Sequence, residues 1–197
     1  MKYLYIKILT LILFKLTFQL DTIIENQSIY QAKCLIHNQK FMFEYLVSFG
    51  AKNKLSTYPL KGFDNFNQIE WLLIRSFNNT FYIKSLTNNY FICSSEYEFA
   101  NGILFSKNSR QVVKMVELSS VINDDRLCKW IFKKHEQDEQ NIYMIWNDYF
   151  NKPLFASYFT MSSNIISARH VFLWYKQPDS KQFNWFVDCN KGQFLVS

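Results

Sequence analysis

The stretch FYIKSLTNNYFIC, residues 81–93, carries the reading of the whole chain. Apolar and polar positions alternate through Phe81, Tyr82, Ile83 and Lys84, break at Thr87-Asn88-Asn89, and resume with Tyr90, Phe91 and Ile92. Alternation on both sides of an Asn-rich break predicts two short strands around a turn. The pattern occurs three times. IYQAKCLIHNQKFMFEY covers residues 29–45, FYIKSLTNNYFICSSEY residues 81–97, and IYMIWNDYFNKPLFASY residues 142–158. Each copy opens with an apolar residue and a Tyr (Tyr30, Tyr82, Tyr143), turns at Asn, and enters an aromatic strand: FMF, YFIC, PLFA. A Trp follows each, at Trp71, Trp130 and Trp185, giving Tyr-to-Trp intervals of 41, 48 and 42 residues. A further β-like run lies between, at residues 55–60, 112–118 and 171–175. Four strands in each of three units predict about twelve strands. With 20 Phe, 12 Tyr and 5 Trp, coincidences between aromatics are common. The competing reading is therefore chance, and the constant order of the features argues against it.

Composition agrees with a packed all-β domain. Of 197 residues, 49% are hydrophobic and 19% charged, enough apolar surface for a core. Gly and Pro number only 4 and 3, so turns must fall to Asn and Asp, as at Asn78-Asn79, Asn88-Asn89, Asn123-Asp124-Asp125 and Asn147-Asp148. The formal charge is +6, but Lys2, Lys7 and Lys15 lie in an acid-free opening, and the remainder carries +3 without a basic block. Nucleic-acid binding needs a concentrated basic face and is not expected.

The opening MKYLYIKILTLILFKLTFQLD pairs a positive start with apolar runs at residues 8–14 and 16–20. It resembles a secretory signal peptide spanning residues 1–20, with a membrane anchor or a first core strand as alternatives. Lys7 and Lys15 shorten the run below the roughly 20 apolar residues of a spanning helix, so no stable membrane insertion is expected after cleavage. Asn26-Gln27-Ser28 and Asn78-Asn79-Thr80 are N-glycosylation sequons. The four cysteines, Cys34, Cys93, Cys128 and Cys189, suit two disulfides in an exported chain, with three connectivities open. The expected location is extracellular.

Three four-stranded units, each ending on a Trp strand, resemble the β-trefoil, over residues 29–197. The resemblance implies one domain over residues 21–197, with units at about 29–78, 79–140 and 141–197. Six strands would form a short barrel and six its capping hairpins. Tyr30, Tyr82 and Tyr143, with Trp71, Trp130 and Trp185, would take equivalent core places. The last barrel strand would return beside the first, which implies Cys34–Cys189 and leaves Cys93–Cys128. The apolar-Tyr-Ile-Lys strands and the run Val171-Phe172-Leu173-Trp174 are similar to units of secreted insect trefoil proteins. Ricin-B-like lectins are more distant, because Ile69, Cys128 and Phe183 stand where their Gln-x-Trp signature requires Gln.

Catalytic patterns are missing from the sequence. No GxSxG, P-loop, GxGxxG or HExxH is present, and His37, His135 and His170 stand without ligand spacing. No enzyme activity, cofactor or metal is expected. The expected function is recognition of a carbohydrate or an extracellular protein through loops near residues 52–54, 101–102 and 133–140. The candidate ligand-binding residues are Trp146, Asn147, Asp148 and Tyr149, where aromatic faces adjoin bidentate hydrogen-bonding groups. The competing reading of that cluster is a turn flanked by core aromatics. The alternative function is a Kunitz-type trefoil protease inhibitor, with Arg110 or Arg126 at a loop tip.

Overall fold

A computed structural model describes residues 31–42, 44–47, 55–59, 66–98, 111–135, 141–161, 168–174 and 181–190. The proposed signal segment, the Asn26 sequon, Tyr30, Arg110 and the loop residues 52–54, 101–102 and 136–140 lie outside them. The described strands are β1 (Gln31–Asn38), β2 (Glu44–Val47), β3 (Ser56–Pro59), β4 (Glu70–Arg75), β5 (Phe81–Ser85), β6 (Phe91–Glu98), β7 (Gln111–Val116), β8 (Trp130–Lys134), β9 (Ile142–Asn147), β10 (Lys152–Met161), β11 (Ala168–Leu173) and β12 (Asn184–Asn190). A short helix, α1 (Leu118–Asn123), and a 3-10 turn (Asp125–Cys128) precede β8.

Six strands close on themselves. β1 pairs with β4 and β12, β5 with β4 and β8, and β9 with β8 and β12. Such closure satisfies the backbone groups that an open sheet edge would expose. The other six form the hairpins β2–β3, β6–β7 and β10–β11. These three meet: β11 pairs with β3 and β7, Leu55 N donates to Val113 O at 3.1 Å, and Val171 N donates to Leu55 O at 3.0 Å.

The first strands of the three units share one burial pattern. The first strand of each points Ile36, Ile83 or Ile145 inward, flanked by Cys34, Phe81 or Tyr143 on one side and Asn38, Ser85 or Asn147 on the other, all buried. This corrects the register expected from the Tyr residues. Tyr143 is in the core, but Tyr82 stands one position out of step and donates its hydroxyl to Asp125 Oδ2 at 2.8 Å. The side-chain period of a strand is two, so a one-residue slip changes the face. In the first unit, Phe41 and Met42 belong to the turn, and the second strand begins at Glu44.

The Trp residues do occupy equivalent core places. Each indole donates to the carbonyl of a buried residue on the second strand of its unit: Trp71 to Leu46 at 3.1 Å, Trp130 to Ile92 at 2.8 Å, and Trp185 to Leu154 at 3.1 Å. Ile69, Cys128 and Phe183, where the ricin-type signature would place Gln, are buried beside them.

The disulfides are Cys34–Cys189 and Cys93–Cys128. The first joins directly opposed residues of β1 and β12. The second ties β6 to the 3-10 turn before β8. Asn does take turn positions: among the described residues, the non-Gly residues with positive φ are Asn78, Asn79, Asn89 and Asn151, and Asn tolerates that region better than most residues.

Candidate functional site

The four candidate residues begin at the end of β9 and run into the turn toward β10, and the fold separates them. Trp146 is half-buried on the outside of β9, with the Lys133 ammonium 3.8 Å from its ring centroid. Its indole Nε1 is buried without a hydrogen-bond partner. Asp148 and Tyr149 are exposed on the turn.

Asn147 is 0% exposed and is a structural clamp. Its Nδ2 donates to Leu127 O at 3.0 Å and to Lys129 O at 3.3 Å, and its Oδ1 accepts from Phe150 N at 3.1 Å. Asn38 does the same one unit away: Nδ2 donates to Gln182 O at 3.0 Å and Asn184 O at 3.3 Å, and Oδ1 accepts from Lys40 N at 3.0 Å. Ser85 holds the third place, its Oγ accepting from Thr87 N at 3.3 Å. Asn147 is therefore occupied by backbone and unavailable to a ligand. The repeated ends Ile-His-Asn and Ile-Trp-Asn of β1 and β9 carry this signal in the sequence. Asn147→Ala is expected to cost about 1–3 kcal/mol in urea denaturation, because buried carbonyls lose their donor. Asn147→Ser is expected to cost less, since Ser already serves at position 85.

The residues that join Tyr149 come from the segment before β8. Tyr149 is 47% exposed, and the Arg126 guanidinium carbon lies 4.7 Å from its ring centroid. Arg126 Nε donates to both carboxylate oxygens of Asp124 at 2.9 Å. Phe150 meets the Tyr149 ring edge-on at 4.9 Å. Arg126 and Asp124 stand far from Tyr149 in the sequence, and no local pattern links them.

This segment is held firmly. Cys128 is bonded to Cys93, Ser94 Oγ donates to Leu127 O at 2.9 Å, and Asp125 accepts from Tyr82 and pairs with Lys129 at 2.9 Å. Burial pushes the Tyr82 phenol up to about 12, with the Asp125 charge adding to it and a bond from Ser76 opposing it. Burial alone would raise the Asp125 carboxyl, but hydrogen bonds from Lys129 and Tyr82 and the Lys129 charge outweigh it and hold it below its ordinary value. Arg126 is thus presented from a fixed 3-10 turn, beside an exposed aromatic face.

No protein-family model matches the sequence, and no curated protein matches it. Solved structures match it in fold. The designed threefold-symmetric protein ThreeFoil aligns with TM-score 0.54 at 10% identity, over 80% of this chain and 97% of its own. The BEL beta-trefoil aligns with TM-score 0.53 at 14% identity, over 81% and 93%.

The chain is a β-trefoil.

A Culex salivary protein of the Cysteine and Tryptophan-Rich family also aligns with the trefoil, with TM-score 0.54 at 13% identity, over 81% of this chain and 94% of its own. The histidines are dispersed in the trefoil. His37 lies on β1, stacked on Phe186 with ring centroids 4.6 Å apart and its Nε2 3.3 Å from Asp188 Oδ2. Burial lowers its pKa, against the opposing charge and hydrogen bond of Asp188. His170 lies on β11, and His135 follows β8, its backbone N donating to Ile142 O at 3.0 Å. Among the described residues no group of three or more His, Cys, Asp or Glu is placed to hold a metal ion, and no helix is long and apolar enough to cross a membrane. Arg126, a candidate inhibitor residue, is not at a free loop tip but against Asp124 and Tyr149.

Proposed function

We propose that this trefoil is a secreted, non-enzymatic recognition protein that binds carbohydrate through the face built by Tyr149, Arg126, Asp124 and Asp148. The observation that carries the reading is the exposed Tyr149 ring beside a guanidinium fixed by Asp124. An aromatic face accepts the apolar face of a sugar ring, and neighbouring carboxylates and guanidinium nitrogens bond its hydroxyls. Anchoring by Cys93–Cys128 limits the ordering cost of binding. Two disulfides and the leader-like opening support export to an oxidising compartment.

The test is a glycan array with the purified protein, its own N-glycans removed, followed by titration of any glycan retained. Tyr149→Ala and Arg126→Ala are each expected to weaken binding about tenfold or more, a loss of about 1.4 kcal/mol, with circular dichroism unchanged. Retained glycan binding that neither substitution alters would reject this face. An array without specific binding would move the reading to an extracellular protein partner, sought by pull-down from extracellular fluid.

A further inference from the structure

Among the described residues, the most exposed large hydrophobic side chain lies outside the recognition face. Phe77 is 73% exposed, at the tip of the hairpin between β4 and β5. Its ring adjoins the sequon Asn78-Asn79-Thr80. Thr80 N donates to Phe77 O at 3.2 Å across the turn. Asn78 and Asn79 take φ of 56° and 55°. Positive φ at both central residues is the type I′ geometry favoured in tight hairpins. The turn is further fixed by Ser76 N donating to Thr80 O at 2.8 Å, Thr80 Oγ1 donating to Phe77 O at 2.7 Å, and Arg75 Nη2 donating to Asn79 Oδ1 at 2.7 Å.

We propose that Asn78 carries an N-linked glycan whose first sugar packs on the Phe77 ring. Asn78 is exposed, and the residue before it is an aromatic ring with an open face. A glycan on Asn78 Nδ2 starts within reach of that ring. A sugar presents axial C–H groups that suit an aromatic face, so covering Phe77 removes apolar surface from water. The turn fixes the backbone that carries both side chains before the glycan arrives, which lowers the ordering cost. An isolated exposed Phe at a fixed hairpin tip thus gains a chemical role. The modification itself forms an amide-nitrogen bond to the sugar's anomeric carbon, the lipid-linked diphosphate of the donor leaving and the amide losing one proton.

The position lies on a different turn from the recognition face. Asn78 precedes the start of β5, whereas the turn bearing Tyr149 follows the end of the equivalent strand β9. One turn therefore leads into a barrel strand and the other leaves one. The proposal rests on the export part of the proposed function and not on its ligand.

The experiment is expression of the full chain in a eukaryotic host that makes only high-mannose glycans, with peptide mapping of the secreted product. Asn78 is expected to be occupied. Trimming with an endoglycosidase that leaves one N-acetylglucosamine is expected to preserve the Tm. Complete removal is expected to lower it by about 2–4 °C. In Phe77→Ser, occupancy is expected to fall and the Tm difference to vanish. A bare Asn78 in secreted protein, or a Tm difference unaffected by Phe77→Ser, would overturn the inference while leaving export standing. A chain that never enters the secretory pathway would overturn both.

Discussion

Replacing Trp130 by Ala is expected to destabilise the protein by about 3–5 kcal/mol, the range for deleting a large aromatic from a close-packed interior. Trp130 is wholly buried, faces Phe81 on β5 and Asn147 on β9, and donates its indole hydrogen to Ile92 O at 2.8 Å. The Ala variant removes the ring, opens a cavity near the barrel axis and leaves the Ile92 carbonyl unbonded. Trp130→Phe separates the two effects. It retains most of the apolar volume and loses the donor, so it should cost about 1–3 kcal/mol. Trp71→Phe and Trp185→Phe should cost the same within error, because their indoles meet Leu46 O and Leu154 O in the same way. Urea denaturation of the three Phe variants is the measurement. A neutral Trp130→Phe would show that the repeated indole bond contributes nothing to stability.

Removing Cys34–Cys189 is expected to have an effect at least as large. On the loop-entropy model, a bridge spanning 155 residues contributes about 5 kcal/mol, and Cys93–Cys128, spanning 35, about 4 kcal/mol. The double variant Cys34→Ser with Cys189→Ser should therefore lower stability more than Cys93→Ser with Cys128→Ser. The first bridge joins the first and last barrel strands at directly opposed residues, so its loss also loosens the seam that closes the ring. A larger loss from the second pair in chemical denaturation would show that anchoring the segment before β8 outweighs closure of the chain.

The candidate site was legible only in part. Asp148 and Tyr149 could be placed on an exposed turn because Asn-Asp after an alternating run marks one. Asn147 belongs to the same signal but to the other side of it. It ends β9 facing inward, where its amide closes onto Leu127 and Lys129. Arg126 and Asp124 were not legible as partners of Tyr149. Their approach depends on β8 and β9 pairing and on the turn tied by Cys128 to Cys93.

Three units, four strands in each, Asn-dominated turns and a terminal Trp strand all stand in the linear order of residues. They depend on local alternation, turn chemistry and repetition, which act over a few residues at a time. The register of the repeat does not. A Tyr follows an apolar residue at the opening of each copy, but the inward series is Ile36, Ile83 and Ile145, and Tyr82 faces outward. Ring closure settles that choice, because each barrel strand must turn one face to a common interior and a slip of one residue reverses it. The same closure buries Asn147 and brings Arg126 to Tyr149. These are contacts between strands distant in sequence, and no local pattern contains them.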